Sequence, residues 1–363
     1  MSGIASPVEH QLIPAHPRRR DSRRSAALRL ARRRESLLVA MTLAVFFVTT
    51  ALEPSFDTSG NINFMLESAM PLAVLAVGQT MVCLVRGIDV SVAPILGIAA
   101  VSTGFLAQDY GSSYVLMLPL ALAIGAGLGL VNGLFVTYAR IPPIITTLGT
   151  LSIYGGLELS IVGSSAVQTL PNSYSTLNTG TILPDISYLL VIGVVVMAVA
   201  ALFLWRTTIG RALYAVGSNV EAAFRAGIRV NAVLVSAYAL TGLIAGLAGL
   251  VYLVYYRGAE GGSGITENLN LLSIAAVLIG GTTLTGGKGG VVGPFLASIF
   301  ITVADEAVLV AGVNPDWQPA GVGVLLLLAI MLDRNQSGRR SLRELLLARH
   351  PKLPLTPPSE AAP

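Results

Sequence analysis

The sequence predicts an all-α protein: a polytopic transmembrane helical bundle of about ten spans, with both termini in the cytoplasm. Three observations carry this. Of 363 residues, 53% are apolar and only 12% charged, when an ordinary soluble domain is about 25% charged. The mean hydropathy of +0.73 makes hydrocarbon the main solvent. Apolar windows able to cross about 30 Å of hydrocarbon recur along the chain, and the basic residues between them are gathered into a few polar segments. Disordered, collagen-like and disulfide-stapled classes are excluded. The chain is too apolar, its 38 glycines have no three-residue period, and its single cysteine, Cys83, allows no internal disulfide.

The windows run 36–53, 65–85, 91–107, 114–138, 143–163, 186–205, 231–256, 269–287, 291–312 and 319–332, the third and tenth being short. The first follows a basic run from Arg18 to Arg34. Its Ser22-Arg23-Arg24 string is no export signal, because no small-residue cleavage site follows, so the window is an uncleaved span. Pro71, Gly78, Pro94, Pro119 and Pro294 fall inside later windows. Gly125/Gly129/Gly133 and Gly242/Gly246 have the small-xxx-small spacing that lets helix backbones approach closely. Residues 164–185, rich in Ser, Thr and Asn without Lys or Arg, form an outer loop.

Charge orients the bundle. Nineteen of the 23 Lys and Arg lie in Arg18–Arg34, Arg206–Arg229 and Arg334–Lys352. Ten alternating spans put 22 of the 23 inside, leaving Arg257 outside among Glu53, Asp57, Asp109, Asp185, Glu260, Glu267 and Asp316. The organisation is therefore a basic tail (1–35), a membrane domain (36–333) and a cytoplasmic tail (334–363) containing Pro351, Pro354, Pro357 and Pro358. The net charge of +4 comes from these inner clusters. They suit the anionic lipid surface of the bilayer and give no reason to expect a nucleic-acid partner.

Four stretches and one acidic pair carry chemistry. The inner loop 206–230 is too polar to span and contains Asn219-Val220-Glu221-Ala222-Ala223-Phe224-Arg225-Ala226-Gly227. Asn219 is a good N-cap, Glu221 sits where the helix dipole favours an anion, and Gly227 suits the helix stop. On these residues alone, a docking helix and an ordinary amphipathic connector both stand. Residues 78–91, Gly78-Gln79-Thr80 through Arg86-Gly87-Ile88-Asp89-Val90-Ser91, interrupt two apolar windows. A break at membrane depth is tolerated where backbone is protein-buried or lines a wet cavity, and polar groups there are pathway candidates. The other reading pairs Arg86 with Asp89 to fix an inner loop. In 130–150, Pro142-Pro143 stops one helix, Thr146, Thr147 and Thr150 begin the next, and Asn132 is the side chain suited to transport. In 269–293 the Gly286-Gly287-Lys288 string is no phosphate loop: Thr282 stands where the first glycine belongs and Gly289 where the hydroxyl belongs. Its glycines suit a tight re-entrant turn at the inner surface. Asp305 and Glu306 lie within the ninth window. By default they face the bundle interior or a cavity, and an outer-mouth position reached by water stands beside that reading.

The five motifs resemble, in order and over about 65–333, those of permeases of the ribose/xylose/galactose type in ATP-binding-cassette sugar importers, within the branched-chain amino acid and sugar permease superfamily. The E-A-A-x-x-x-G string at Glu221–Gly227 is similar to that class's coupling-helix signature, and 78–91 is similar to its G-Q-T…G-G-I-D-[LV]-S pattern. Arg86 departs from the usual small residue, Asn268-Leu269-Asn270 from an acidic start, and Asp305-Glu306 from Asn-Gly. The resemblance implies a bacterial inner-membrane permease that passes a monosaccharide delivered by an extracytoplasmic sugar-binding protein. It would work with a cytoplasmic ATP-hydrolysing subunit and a second permease copy, identical or not. Asn219, Glu221, Ala222, Ala223 and Gly227 would couple to the ATPase; Gly78, Gln79, Gly87, Asp89, Ser91, Asn132 and Asp305 would shape the pathway. A permease of the same superfamily for branched-chain amino acids or nucleosides is the alternative, and an ion-coupled secondary transporter a more distant one.

Enzyme chemistry is not expected, nor any metal or cofactor. The sequence has no H-E-x-x-H, C-x-x-C or G-x-S-x-G, and His10, His16 and His350 all lie in the tails.

Overall fold

A computed structural model describes residues 34–183, 186–263 and 268–312, with residues 314, 317 and 320. All of the tenth window (319–332) except residue 320, the tail 334–363, nearly all of the tail 1–35, and the loop acids Asp185, Glu267 and Asp316 fall outside the described residues. The chain folds as a polytopic helical bundle: α1 (Arg34–Leu52), α2 (Ser59–Leu84), α3 (Val92–Tyr110), α4 (Tyr114–Thr137), α5 (Pro143–Val162), α6 (Asn172–Thr179), α7 (Tyr188–Arg206), α8 (Thr208–Ser218), α9 (Val220–Arg225), α10 (Val230–Tyr256), α11 (Leu269–Ile279) and α12 (Val292–Val310). A two-stranded ribbon, β1 (Thr181–Leu183) with β2 (Ile186–Ser187), precedes α7. Among the described residues eight helices are long and apolar enough to cross a membrane.

The expected eighth span is shorter than its window. Only Leu269–Ile279 is helical, about 16 Å at 1.5 Å per residue, half of what hydrocarbon requires. The cause is local. Gly281, Gly286, Gly287 and Gly289 all adopt positive φ, and Gly280 lies so close to Gly293 and Pro294 of α12 that a side chain would overlap them. The chain turns instead of continuing, and its backbone groups are satisfied within the protein: Thr283 N–H donates to the Lys288 carbonyl, and Gly287 N–H to Leu84 at the end of α2.

Helix α10 is the hub. It packs against α4, α2 and α3, so α2 and α3, consecutive in sequence, share it as a neighbour rather than packing along each other. Its seam with α4 is built from glycine. A Cβ on Gly125 would strike the Gly242 carbonyl, one on Gly242 the Gly125 carbonyl, and one on Gly129 the Tyr238 carbonyl. The other face of α4 turns Val115, Leu116 and Leu130 outward, as α7 does Val195 and Val199. These are lipid-facing surfaces, whereas α2 is buried from Ala69 through Leu84.

Overpacking such a seam costs about 1–3 kcal/mol. Gly242→Val should lower the thermal midpoint of the detergent-purified protein by several degrees. Gly127→Val, on the same α4 but with open space at its Cβ, should leave it unchanged; equal melting of the two variants would contradict this packing.

Candidate functional site

The α2–α3 break contains a closed polar cluster. Helix α2 ends at Leu84 and Arg86 takes a left-handed φ of 69°. Gly87 passes so close to the Tyr238 hydroxyl that a Cβ would stand 2.6 Å from it. Asp89 then folds over the start of α3: its Oδ1 accepts from Ser91 N–H at 2.9 Å and from Ser91 Oγ at 2.6 Å. Asn132 of α4 donates through Nδ2 to Ser91 Oγ at 2.7 Å and to Asp89 Oδ2 at 3.3 Å. Tyr154 of α5 donates to Asn132 Oδ1 at 3.3 Å and to the Leu128 carbonyl at 3.0 Å, and Thr147 donates to the Ile88 carbonyl at 3.2 Å. Asp89, Ser91 and Asn132 are all fully buried. A carboxylate is tolerated at this depth because neutral donors surround it, and in return it ties the break to α4 and α5.

Arg86 does not pair with Asp89. Its guanidinium reaches the end of α8, donating to the Gly217 carbonyl at 2.7 Å and the Ser218 carbonyl at 2.8 Å. Glycine makes the junction possible: a side chain on Gly217 would overlap the Leu84 carbonyl, one on Gly287 the Ser218 side chain, and one on Gly286 would meet Arg86 Cγ at 2.5 Å. Segments 84–86, 217–218 and 286–287 thus meet backbone to backbone.

Asn219 leads directly from this junction into α9 and caps it, Oδ1 accepting from Ala222 N–H at 3.0 Å. Glu221 lies in the first turn and pairs with Arg225 across one turn at 2.5 Å, an exposed contact of little energetic weight. Gly227 closes the helix at φ 80°, its N–H donating to the Phe224 carbonyl while Ile228 N–H returns to Ala223. Ala223 is buried, whereas Phe224 is 71% exposed and Val220 43%. A shallow cavity of about 330 Å³ opens beside them, lined by Phe224 and residues 227–231. Helix α8 was not expected from the loop's polarity. Its signal was present in the Thr207 cap and in Gly210, Leu213, Val216 and Gly217, which form one buried face. Burial also raises the Tyr214 phenol pKa, and its hydroxyl donates to the Gly289 carbonyl at 3.0 Å.

Gln79 is different in kind from Asp89. It is fully buried in α2, and neither amide atom has a hydrogen-bond partner among the described residues. Tyr238 OH, Thr146 Oγ1 and Thr137 Oγ1 are likewise buried and without partners there. Gly78 beside Gln79 lets α10 approach, and Thr241 Oγ1 donates to its carbonyl at 2.9 Å. Asp305 is half-buried on α12, which packs on α1, α2 and α11; the structure does not bring it to the Asp89 cluster of α3, α4 and α5. Sequence reading missed Glu158, a fully buried carboxylate near the end of α5. Its one signal was a lone acid inside an otherwise uncharged window.

The family described as "Branched-chain amino acid transport system / permease component" matches residues 61–330. The chain is 33% identical over 330 residues to the "Autoinducer 2 import system permease protein LsrC" of Yersinia enterocolitica, covering 89% of each chain. It is 35% identical over 306 residues to the protein of that name from an Enterobacter strain, covering 84% of this chain and 88% of the relative. For that of Yersinia pseudotuberculosis the identity is 32%, with 83% and 84% covered. No solved structure matches.

The two kinds of buried polar group separate on mutation. Asp89→Ala leaves Ser91 and Asn132 with unpaired polar atoms at about 1–3 kcal/mol each, so the thermal midpoint should fall markedly. Gln79→Leu removes a group already without partners and should leave the midpoint level or raise it. A large drop for Gln79→Leu would show that its amide is satisfied in the folded protein.

Proposed function

The chain belongs to the family of branched-chain amino acid transport system permease components, and from that membership we propose that it is the membrane-spanning permease of an ATP-binding-cassette importer. Its cargo in this reading is a small polyhydroxylated solute, a monosaccharide or a sugar-like molecule such as the autoinducer 2 for which its relatives are named. An extracytoplasmic binding protein delivers the cargo, a cytoplasmic ATP-hydrolysing subunit drives passage, and a second permease completes the assembly in a bacterial inner membrane. The concentration of Lys and Arg on the α8–α9 side supports that side as the cytoplasmic one.

One observation carries the reading: a capped helix with an exposed aromatic side chain stands directly on the three-segment backbone junction. Closure of the ATPase pair pushes α9. The rigid turn at Asn219 passes the push to Gly217 and Ser218, and from there to Arg86 and to Leu84 at the foot of α2. Movement of α2 against α10, which it meets at Gly78, then opens the path alternately to each side. Asn219, Glu221, Ala222, Ala223 and Gly227 form the coupling element. Gly87, Asp89, Ser91 and Asn132 hold the break from which the path is formed.

The chemistry of the unpartnered groups favours the cargo class. Gln79, Tyr238, Thr137 and Thr146 are neutral hydrogen-bonding groups, while the buried Asp89 is already surrounded by donors. Groups of this kind suit neutral hydroxyls better than the paired charges of a free amino acid. Tight affinity is not needed here, because the binding protein supplies it.

Glu221→Lys combined with Gly227→Pro puts a cation at the start of α9 and forces a negative φ where the chain holds 80°. Uptake by the assembled importer should fall about tenfold or more with the protein still present in the membrane. Normal uptake by the double variant would remove the coupling assignment.

A further inference from the structure

The face opposite α9 is closed by a segment whose tether no part of the coupling mechanism uses. Helix α10 starts at Val230, just after α9, and its 27 residues extend about 40 Å, so residues 257–263 emerge on the far face. There Arg257 takes a left-handed φ of 56° and turns the chain back over the bundle. Val167 and Ala259 pair as an antiparallel bridge, with N–H to carbonyl distances of 2.8 and 3.2 Å, and both side chains are buried. Val167 rests on Gly104 of α3, where a Cβ would come within 2.9 Å of its methyl groups. Ser263 locks the turn, its Oγ donating to the Glu260 carbonyl at 2.6 Å and accepting from Glu260 N–H at 3.0 Å.

Glu158 of α5 holds this segment down. Its Oε1 accepts from Gly262 N–H at 3.1 Å. The same carboxyl group is pressed against Gly97 of α3, where a side chain would overlap it. Its other oxygen, Oε2, is buried without a partner among the described residues. A carboxyl group with one oxygen bonded and the other unpartnered among the described residues gives a tether that holds the segment yet gains solvation when the segment lifts. That property suits a contact that must break in every cycle.

We propose that Glu158 is a positioning residue for transport, acting through residues 258–263 as the latch of the gate on the face that receives the delivered solute. The latch rests on the permease reading, and it is tested so that the two fail separately. In a Cys83→Ala background, Val167→Cys supplies the sole thiol, behind the closed segment. Membrane-impermeant maleimide applied to cells carrying the whole importer should label it slowly when Glu158 is intact. Glu158→Ala should raise the rate about tenfold, the factor expected for a lost buried hydrogen bond. Glu158→Gln, which keeps an acceptor oxygen, should stay near the parent rate. Equal rates for Glu158→Ala and the parent would overturn the latch. A second measurement leaves Glu158 untouched: Val167→Cys with Ala259→Cys cross-links the bridge. Oxidation should abolish uptake and reductant restore it; uptake through the oxidised protein would overturn the gate. If the permease reading itself is wrong, the unmutated importer shows no uptake, while the labelling rates still report on the latch.

Discussion

Everything in this bundle depends on how closely α4 and α10 approach. Lipid tails are as apolar as leucine, so no hydrophobic gain drives two helices together within a membrane; association rests on van der Waals contact and polar bonds. Gly125 and Gly129 set against Gly242 and Gly246 let the two backbones touch. That contact fixes α10 at the centre, and α10 in turn leaves its other faces to α2 and α3. Gly78 extends the same device to α2, where Thr241 adds a hydrogen bond across the interface. The break at 85–91 is a consequence. Two helices consecutive in sequence lie against one central helix, and the chain between them crosses the protein interior instead of turning in a simple hairpin.

The interior then sorts its polar groups into two kinds. Asp89, Ser91, Asn132 and Tyr154 form a closed hydrogen-bonded set from three parts of the chain, able to hold a non-helical segment at depth. Gln79 and Tyr238 are buried without such partners among the described residues. An unsatisfied buried amide costs more than it contributes to the fold, which is why Gln79 is assigned to the path in the proposed function. Glu158 combines both kinds in one carboxyl group, one oxygen bonded and the other without a partner among the described residues.

The two faces of the bundle are closed by different means. On the α9 side, three backbone segments meet through glycines, and Arg86 spans from the break to the end of α8; contact of this sort transmits displacement because it cannot be compressed. On the far side a bridge, a serine-locked turn and one tether hold residues 258–263. Stiffness on one side and the proposed latch on the other is the arrangement that alternating exposure needs.

Most of the membrane helices were legible in the sequence because hydrocarbon imposes a length and an apolarity that any reader can count. The glycine spacing and the α9 cap were legible for the same local reasons, and so was the re-entrant turn at 286–287. The helix of the eighth window was not, since hydropathy continues through Ile279 and stops reporting where positive-φ glycines bend the chain. Helix α8 was hidden by the polarity of its exposed face. Arg86 and Asp89, three residues apart, invited pairing; the structure separates them because the left-handed turn at Arg86 sends its side chain to α8 while Asp89 folds over α3. The contact of Glu158 was invisible because its partner, Gly262, lies about a hundred residues away. The sequence by itself determined what each stretch could do in lipid, a matter of local composition. Only the tertiary structure decided which buried polar groups are satisfied, because that depends on helices brought together by contacts remote in the chain.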